Sequence, residues 1–475
     1  MLRRYRHYTI HKLATLAPRY LPFADVASED LPLGRLMRLS LFQFTVGMAL
    51  VLLVGTLNRV MIVELGVPAS LVSIMLALPL LFAPFRALIG YRSDTHRSAL
   101  GWRRVPYIWK GTMLQFGGFA IMPFALLVLS GFGEAHDAPV WIGYSGAALA
   151  FLLVGAGVHM VQTVGLALAT DLVPPEDQPN VVGLMYVMLL LGMGISALVF
   201  GALLENYSAG RLIQVIQGAA VVTIFVNIFA IWKQESRDRS RALAAVPQPE
   251  FGDAWRLFIR GPGAMRRLIV IGLGTAGFGM ADVLLEPYGG QVLGLTVSET
   301  TRLTATMACG GIAGFWMASR ILSRGGDPLT MVRWGVLAGI PAFIAIIASG
   351  PMQMSWVFIA GVLGTGFGAG LFGHGTLTAT MRMAPREQTG LALGAWGAVQ
   401  ATAAGVAIAI GGVIRDIIMA VPDANLFGPG TAYMAVFGLE MALLILALLV
   451  VMPLRKEPSG TRPVPAAGVS IPERS

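Results

Sequence analysis

One stretch decides the fold: residues 39–63 read LSLFQFTVGMALVLLVGTLNRVMIV, with a single charged side chain. A helix needs about twenty mostly apolar residues to cross a bilayer, so this stretch predicts a transmembrane helix. It lacks the period-two alternation of a membrane strand. Comparable stretches recur and predict twelve transmembrane helices, at 39–63, 69–90, 106–130, 139–162, 180–204, 209–232, 267–288, 298–321, 330–349, 354–378, 389–414 and 431–453.

The composition also indicates an integral membrane protein. Hydrophobic residues make up 56% of the 475 residues and charged residues only 12%, whereas a globular domain carries about a quarter charged residues. The net charge of +9 does not indicate nucleic-acid binding, because the basic residues lie in short loops between apolar stretches. The single cysteine, Cys309, excludes an intramolecular disulfide, and its apolar surroundings predict a buried thiol. The sequence carries no phosphate-binding loop, metalloprotease histidine pair or cysteine cluster, so we expect no enzyme.

A polar stretch at 233–266 divides the predicted helices into six and six. Two local matches indicate duplication: residues 169–178 resemble 379–388, and residues 57–70 resemble 285–298. We predict an all-α membrane protein of two six-helix pseudo-repeats, the architecture of the major facilitator superfamily. The predicted regions are an N-terminal arm (1–38), an N-terminal half (39–232), a central loop with an interfacial helix (233–266), a C-terminal half (267–453) and a tail (454–475).

The basic residues predict the orientation. If both termini lie in the cytoplasm, 30 of the 34 Lys and Arg residues fall on the cytoplasmic side, as the positive-inside rule requires. The four exceptions are Arg59, Arg211, Arg302 and Arg415.

The loop after the second predicted helix resembles the glycine, aspartate and basic-residue pattern of the superfamily. Its members here are Gly90, Asp94, Arg97, Gly101, Arg103 and Arg104, with a longer spacing than usual. The pattern would form a charge-assisted lock across the cytoplasmic face. The alternative is ordinary positive charge in a cytoplasmic loop.

Four motifs carry a more specific resemblance: YLPFAD at 20–25, GTLNRVMIVEL at 55–65, APFRALIG at 83–90 and GWRRVP at 101–106. They resemble the PucC/LhaA family of purple phototrophic bacteria, the bacteriochlorophyll delivery group of the superfamily. The resemblance implies assembly of light-harvesting complexes, in which bacteriochlorophyll is handed to newly inserted α and β antenna polypeptides. It also implies the inner (intracytoplasmic) membrane, with bacteriochlorophyll synthase and the membrane insertion machinery as partners. PucC-type members serve the peripheral antenna and LhaA-type members serve the core antenna. The motifs do not distinguish between these two types.

A bacteriochlorophyll cargo needs one axial ligand to its magnesium, for which imidazole, carboxylate or amide oxygen is suitable. Polar side chains inside a membrane are candidates by default. They are Asn58, Arg59, Glu64, Glu286, His374 and His159. Glu64 follows Arg59 by five residues, which places it about 140° round an α-helix, so we do not expect these two to pair. The alternatives are helix-end capping for Asn58 and Glu286, and packing for the histidines.

Three further polar residues lie in predicted spans: Arg86, Asp282 and Glu440. Buried carboxyl groups would serve as protonation sites in a proton-coupled transporter of a small solute, which is the rival hypothesis. Glu440 lies in the twelfth helix, usually peripheral in this fold, and could instead meet a partner protein. Arg86 lies near a helix end, where snorkelling to the membrane surface explains it.

Overall fold

The structure is a computed structural model that describes residues 33–81, 102–131, 137–173, 178–235, 263–383, 389–421 and 430–454, together with a few single positions between them. These residues form twelve helices and no strand. The predicted interfacial helix of the central loop, apart from Ile259, lies outside the described residues, as do Arg86 and four members of the loop pattern (Gly90, Asp94, Arg97 and Gly101).

The twelve helices alternate in direction through the molecule. They are α1 (Leu33–Glu64), α2 (Ala69–Leu81), α3 (Val105–Ser130), α4 (Val140–Asp171), α5 (Gln178–Leu203), α6 (Ala209–Ile231), α7 (Ala264–Leu293), α8 (Val297–Ser323), α9 (Pro328–Met352), α10 (Ser355–Met383), α11 (Thr389–Met419) and α12 (Gly430–Val451). We name the two ends of the bundle the Arg59 end, where α1 ends, and the Arg104 end, where α3 begins.

The prediction of twelve transmembrane helices is confirmed in part, since the described residues form twelve helices. Ten of them are long and apolar enough to cross a membrane. The other two are α2, whose described apolar part is short, and α8, which carries Glu299, Arg302 and Arg320. Several helices also exceed the predicted spans: α1 begins at Leu33 and α4 continues to Asp171. Apolar residues mark only the part of a helix in hydrocarbon, whereas its backbone hydrogen bonds continue beyond the interface.

Small residues permit the closest helix crossings. α1 packs against α5 at Gly47 and Gly192. A Cβ added at Gly47 would lie 2.7 Å from the backbone nitrogen of Met193, and one at Gly192 would lie 2.6 Å from Cα of Phe44. Glycine therefore lets the two backbones touch, as is common in membrane helix pairs.

Among the described residues, the first six helices contact the last six mainly through four pairings: α1 with α7, α1 with α8, α2 with α11, and α5 with α8. Polar links join these pairs at the Arg59 end. The backbone N–H of Ser70 donates to Asp416 Oδ2 at 2.6 Å, and the hydroxyl of Ser298 donates to the carbonyl of Gly201 at 2.7 Å. Toward the Arg104 end the contact is aromatic and apolar. The α1–α7 crossing adjoins the closure at the Arg59 end, where Arg59 donates to the carbonyl of Leu295.

Candidate functional site at the crossing of helices α1 and α7

Helix α1 departs from α-helical geometry where it approaches α7. Its segments Val51–Leu57 and Val60–Glu64 are π-helical. A π-helical turn is wider and brings residue i+5 above residue i. Arg59 and Glu64 consequently form a hydrogen-bonded ion pair on one helix. The prediction that they do not pair was wrong, because it assumed the 3.6-residue turn.

Arg59 also joins the two halves of the bundle. Its guanidinium is buried, with 4% of the side chain exposed, and donates to the carbonyl of Leu295 in the turn after α7 at 3.2 Å. Glu64 is partly exposed. The ion pair is thus a closure of the Arg59 end, with its acidic member facing outward.

Asn58 satisfies a backbone carbonyl that a proline has freed. Pro287 lies inside α7 and has no N–H, so the carbonyl of Val283, four residues earlier, lacks its usual helical donor. The side-chain amide of Asn58 donates to that carbonyl at 2.5 Å. Both residues are fully buried. The amide nitrogen therefore makes a structural hydrogen bond, while the amide oxygen Oδ1 has no hydrogen-bond partner among the described residues.

Glu286 lies on the same helix, facing α1 and α8. Its Oε1 accepts a hydrogen bond from the Thr304 hydroxyl at 2.7 Å, whereas its Oε2 is buried without a partner among the described residues. Gly55 of α1 packs directly against this carboxyl group. The alignment of 57–70 with 285–298 therefore relates two residues, Asn58 and Glu286, that both occupy the α1–α7 crossing.

A cavity of about 120 Å³ adjoins Glu286. Its polar lining consists of Asp282, Glu286 and the hydroxyl of Thr304, and the remaining lining is mostly apolar. Asp282 and Glu286 are one helical turn apart, so both carboxyl groups face the same space. Pockets for drug-sized ligands usually enclose about 300–1,000 Å³, so this cavity as it stands holds a few water molecules rather than a pigment ring.

Helix α7 is interrupted at Met280, between the segments Ala264–Gly279 and Ala281–Leu293. The Glu440 carboxylate of α12 accepts a hydrogen bond from the backbone N–H of Ala281 at 2.7 Å and is fully buried. A carboxylate at the start of a half-helix satisfies a free N–H and suits the helix dipole. Our expectation that Glu440 could meet a partner protein was wrong, because the side chain is buried inside the bundle.

The two histidines lie apart from this crossing. His374 is buried on α10 with its ring centroid 4.7 Å from that of Phe315, in a cluster that also contains Tyr186 and Trp396. A Cβ at Gly375 would lie 3.0 Å from Cβ of Met331, so α9 packs closely against α10 beside His374 on that side.

The other side of His374 is more open, since a Cβ at Gly373 would meet no atom within 4 Å. His159 is half-buried on α4, which packs mainly against α3 and α2. The structure therefore unites Asn58, Arg59, Glu64 and Glu286 and leaves both histidines elsewhere.

The basic pair after the second helix has two acidic partners. Arg104 contacts Asp171 at the end of α4 with a nitrogen–oxygen distance of 3.1 Å, and Arg103 contacts the same carboxylate at 3.8 Å. The Glu235 carboxylate accepts from the backbone N–H groups of Arg103, Arg104 and Val105 at 2.8–3.1 Å. These contacts tie α3, α4 and the segment after α6 together within the first half.

Sequence reasoning missed Glu235, Thr304 and the pairing of Asn58 with the freed carbonyl. The proline inside α7 was the available signal for the last of these, because it leaves one carbonyl in need of a donor. The predicted burial of Cys309 was also wrong: the side chain is exposed on α8.

The helices and their pairing define a multi-pass membrane protein with the fold of secondary transporters. It is similar to a bacterial homologue of the iron transporter ferroportin in an inward-facing state, with a TM-score of 0.63, 16% identity and coverage of 88% of this chain and 97% of that one. It is also similar to the peptide transporter POT, with a TM-score of 0.63, 14% identity and coverage of 87% and 93%. At these identities the likeness concerns the fold alone.

Sequence relatives define the family. The family model described as PUCC protein matches residues 56–458. The chain is 63% identical to Protein PucC of Cereibacter sphaeroides, covering 95% of this chain and 98% of that protein, and 64% identical to Protein PucC of Rhodobacter capsulatus, covering 95% and 99%. It is 30% identical to the bacteriochlorophyll synthase 44.5 kDa chain of R. capsulatus, covering 87% and 93%. The chain belongs to the PucC family, which confirms the resemblance found in its motifs.

Proposed function

We propose that this protein is a non-enzymatic assembly factor for light-harvesting antenna complexes, which binds bacteriochlorophyll and delivers it to antenna polypeptides in the membrane. The observation that carries the proposal is similarity over nearly the whole chain to proteins named PucC. The PucC names favour the branch that serves the peripheral antenna. The relative named for bacteriochlorophyll synthase supports a setting in pigment metabolism.

The α1–α7 crossing offers the best magnesium ligands. Asn58 Oδ1 and Glu286 Oε2 are buried oxygen atoms without a hydrogen-bond partner among the described residues. Buried polar atoms are nearly always satisfied, so such atoms indicate a missing ligand or water. Oxygen donors suit magnesium. Because the cavity of about 120 Å³ is too small for a macrocycle, pigment binding at this site would require the crossing to open.

The transporter fold suits such an opening. Both helices of the crossing are irregular: α1 has π-helical turns and α7 is interrupted at Met280. Interrupted helices at the interface between halves form the binding sites of many transporters. The proposed pseudo-repeat is supported by equivalent pairings, since α2 packs on α11 as α8 packs on α5, and α3 packs on α4 as α9 packs on α10.

The proposed setting is the bacterial inner (intracytoplasmic) membrane with both termini in the cytoplasm, which places the Arg104 end on the cytoplasmic side. The proposed partners are the α and β antenna polypeptides, bacteriochlorophyll synthase and the membrane insertion machinery.

Purification from a pigment-making host in mild detergent tests pigment binding. We expect a near-infrared absorption band with about one bacteriochlorophyll per chain, and a marked loss of pigment in Asn58→Leu and Glu286→Leu. Gly117→Leu on α3, where a Cβ would meet no atom within 4 Å, is the control and should retain its pigment. A colourless but folded wild-type protein would refute pigment binding.

Proton-coupled transport of a small solute is a second candidate. Asp282 and Glu286 favour it, because two carboxyl groups face one small cavity between the halves. Uptake of a defined solute into liposomes, driven by a pH gradient and lost in Glu286→Gln, would establish this function. Absence of uptake together with pigment transfer to antenna polypeptides would reject it.

A further inference from the structure

The outward surface of α6 near the Arg59 end carries polar side chains where a lipid-facing helix should be apolar. We infer that this surface docks a second membrane-spanning helix, one that carries a carboxylate near the Arg59 end. We name it the α6 face and define it by Arg211, Gln214, Gln217, Gly218, Val221 and Phe225. The identity of the partner as an antenna polypeptide rests on the proposed function.

Two amide side chains of the α6 face lie at membrane depth. Gln214 and Gln217 are exposed and make no side-chain hydrogen bond among the described residues. With a rise of 1.5 Å per residue, the 23 residues of α6 extend about 34 Å across a hydrocarbon layer of about 30 Å. Gln217 is the ninth residue and therefore lies about 10 Å inside the hydrocarbon.

This position is unusual within the chain. No other exposed acidic, basic or amide side chain among the described residues lies as far inside its helix. Polar side chains in membranes usually face the bundle interior or form hydrogen bonds between helices. An unpartnered amide at this depth therefore indicates a neighbouring helix that supplies a hydrogen-bonding group.

The neighbouring positions permit close approach. A Cβ added at Gly218 would meet no atom within 4 Å, so the backbone is open to a partner helix. Val221 and Phe225 are 48% and 69% exposed. Together with Gln214 and Gln217 these residues follow the i, i+3, i+4, i+7 and i+11 spacing of a single helix face. The α6 face thus combines a small residue, two amides and apolar contact area.

Charge decides between a second copy and a different chain. Arg211 is exposed at the start of α6 and forms no ion pair with the described residues. Two copies in one membrane share their orientation, so a symmetric contact through this face would place Arg211 against Arg211 at the same depth. Like charges in contact repel, whereas a carboxylate at that level would be attracted. The occupant is therefore a different membrane-spanning chain with an acidic residue near the Arg59 end.

Photo-cross-linking in membranes of an antenna-making host tests the inference. With a photoreactive amino acid in place of Val221, we expect a covalent product with the antenna α or β polypeptide, identified by mass spectrometry. Gly218→Leu should lower its yield at least fivefold, because the added side chain holds the partner away. Gly438→Leu on α12 is the matched control, since a Cβ there also meets no atom within 4 Å, and should leave the yield unchanged.

Three results would overturn the docking face: a product joining two copies of this chain, no product at all, or equal yields in both glycine variants. Pigment content separates this inference from the proposed function. A colourless protein that gives the Val221 product would refute pigment binding and support the docking face. A pigment-loaded protein that gives no Val221 product would support pigment binding and refute the docking face.

Discussion

The contact between Asn58 and the carbonyl freed by Pro287 gives the sharpest stability prediction. Asn58→Leu removes the donor that lies 2.5 Å from the Val283 carbonyl, and leucine has a similar size. The fully buried carbonyl is then left unsatisfied, which costs about 1–3 kcal/mol. We expect the free energy of unfolding to fall by that amount.

A compensating substitution on α7 should recover the loss. Pro287→Ala restores a backbone N–H four residues after Val283, so the carbonyl regains a helical donor. The change also removes the general penalty of proline in a helix, and this effect is the same with or without Asn58. In a double-mutant cycle that common effect cancels, and we expect a coupling energy between positions 58 and 287 that equals the recovered loss, about 1–3 kcal/mol.

The cycle can be measured by unfolding the purified protein in mixed micelles with increasing sodium dodecyl sulfate, followed by tryptophan fluorescence. Pro123→Ala is the control, because Pro123 lies inside α3 and removes a helical hydrogen bond there, whereas Asn58 bonds to α7. Additive effects of Asn58→Leu and Pro287→Ala, within about 0.5 kcal/mol, would refute the compensation.

Three further predictions use the same unfolding measurement. Glu440→Leu leaves the N–H of Ala281 without an acceptor and should lower the free energy of unfolding by about 1–3 kcal/mol. Glu440→Gln keeps an acceptor oxygen and should lose less. An equal loss in both variants would contradict the capping role. Glu235→Gln should lower the free energy of unfolding by about 1 kcal/mol, because it removes the negative charge at the start of α3. The control Glu205→Gln, at an exposed position, should have no effect. An equal loss in Glu205→Gln would contradict this role of Glu235. Gly47→Val should lower the free energy of unfolding by about 1–3 kcal/mol by overpacking the α1–α5 crossing. Gly117→Val is the control and should cost less. If both variants were equally unstable, overpacking at the crossing would not be the cause.

The helix count could be predicted because long apolar stretches leave few alternatives in a membrane. The site was less predictable, because its geometry depends on departures from the regular helix. The assumed 3.6-residue turn separated Arg59 from Glu64, and only the π-helical turns of α1 bring them together. No local pattern in the sequence announces such turns.

The sequence pattern also could not predict which individual side chains are buried. Glu440 lies in the last helix, yet it is buried because the interruption of α7 at Met280 offers a backbone N–H to its carboxylate. Cys309 lies among apolar residues, yet it is exposed, because apolar residues in a membrane helix face lipid as readily as protein. Hydropathy places a residue in the membrane but does not say which side of its helix is packed.

Pigment transfer tests the central claim most directly. The purified pigment-loaded protein would be mixed in lipid nanodiscs with pigment-free α and β antenna polypeptides, and the near-infrared absorption followed over time. Delivery predicts that the absorption band of protein-bound pigment declines while the red-shifted band of an assembled antenna grows, and that Glu286→Leu abolishes the growth. Pigment that stays on the protein, or an antenna band that grows equally from free pigment without the protein, would contradict the proposed function.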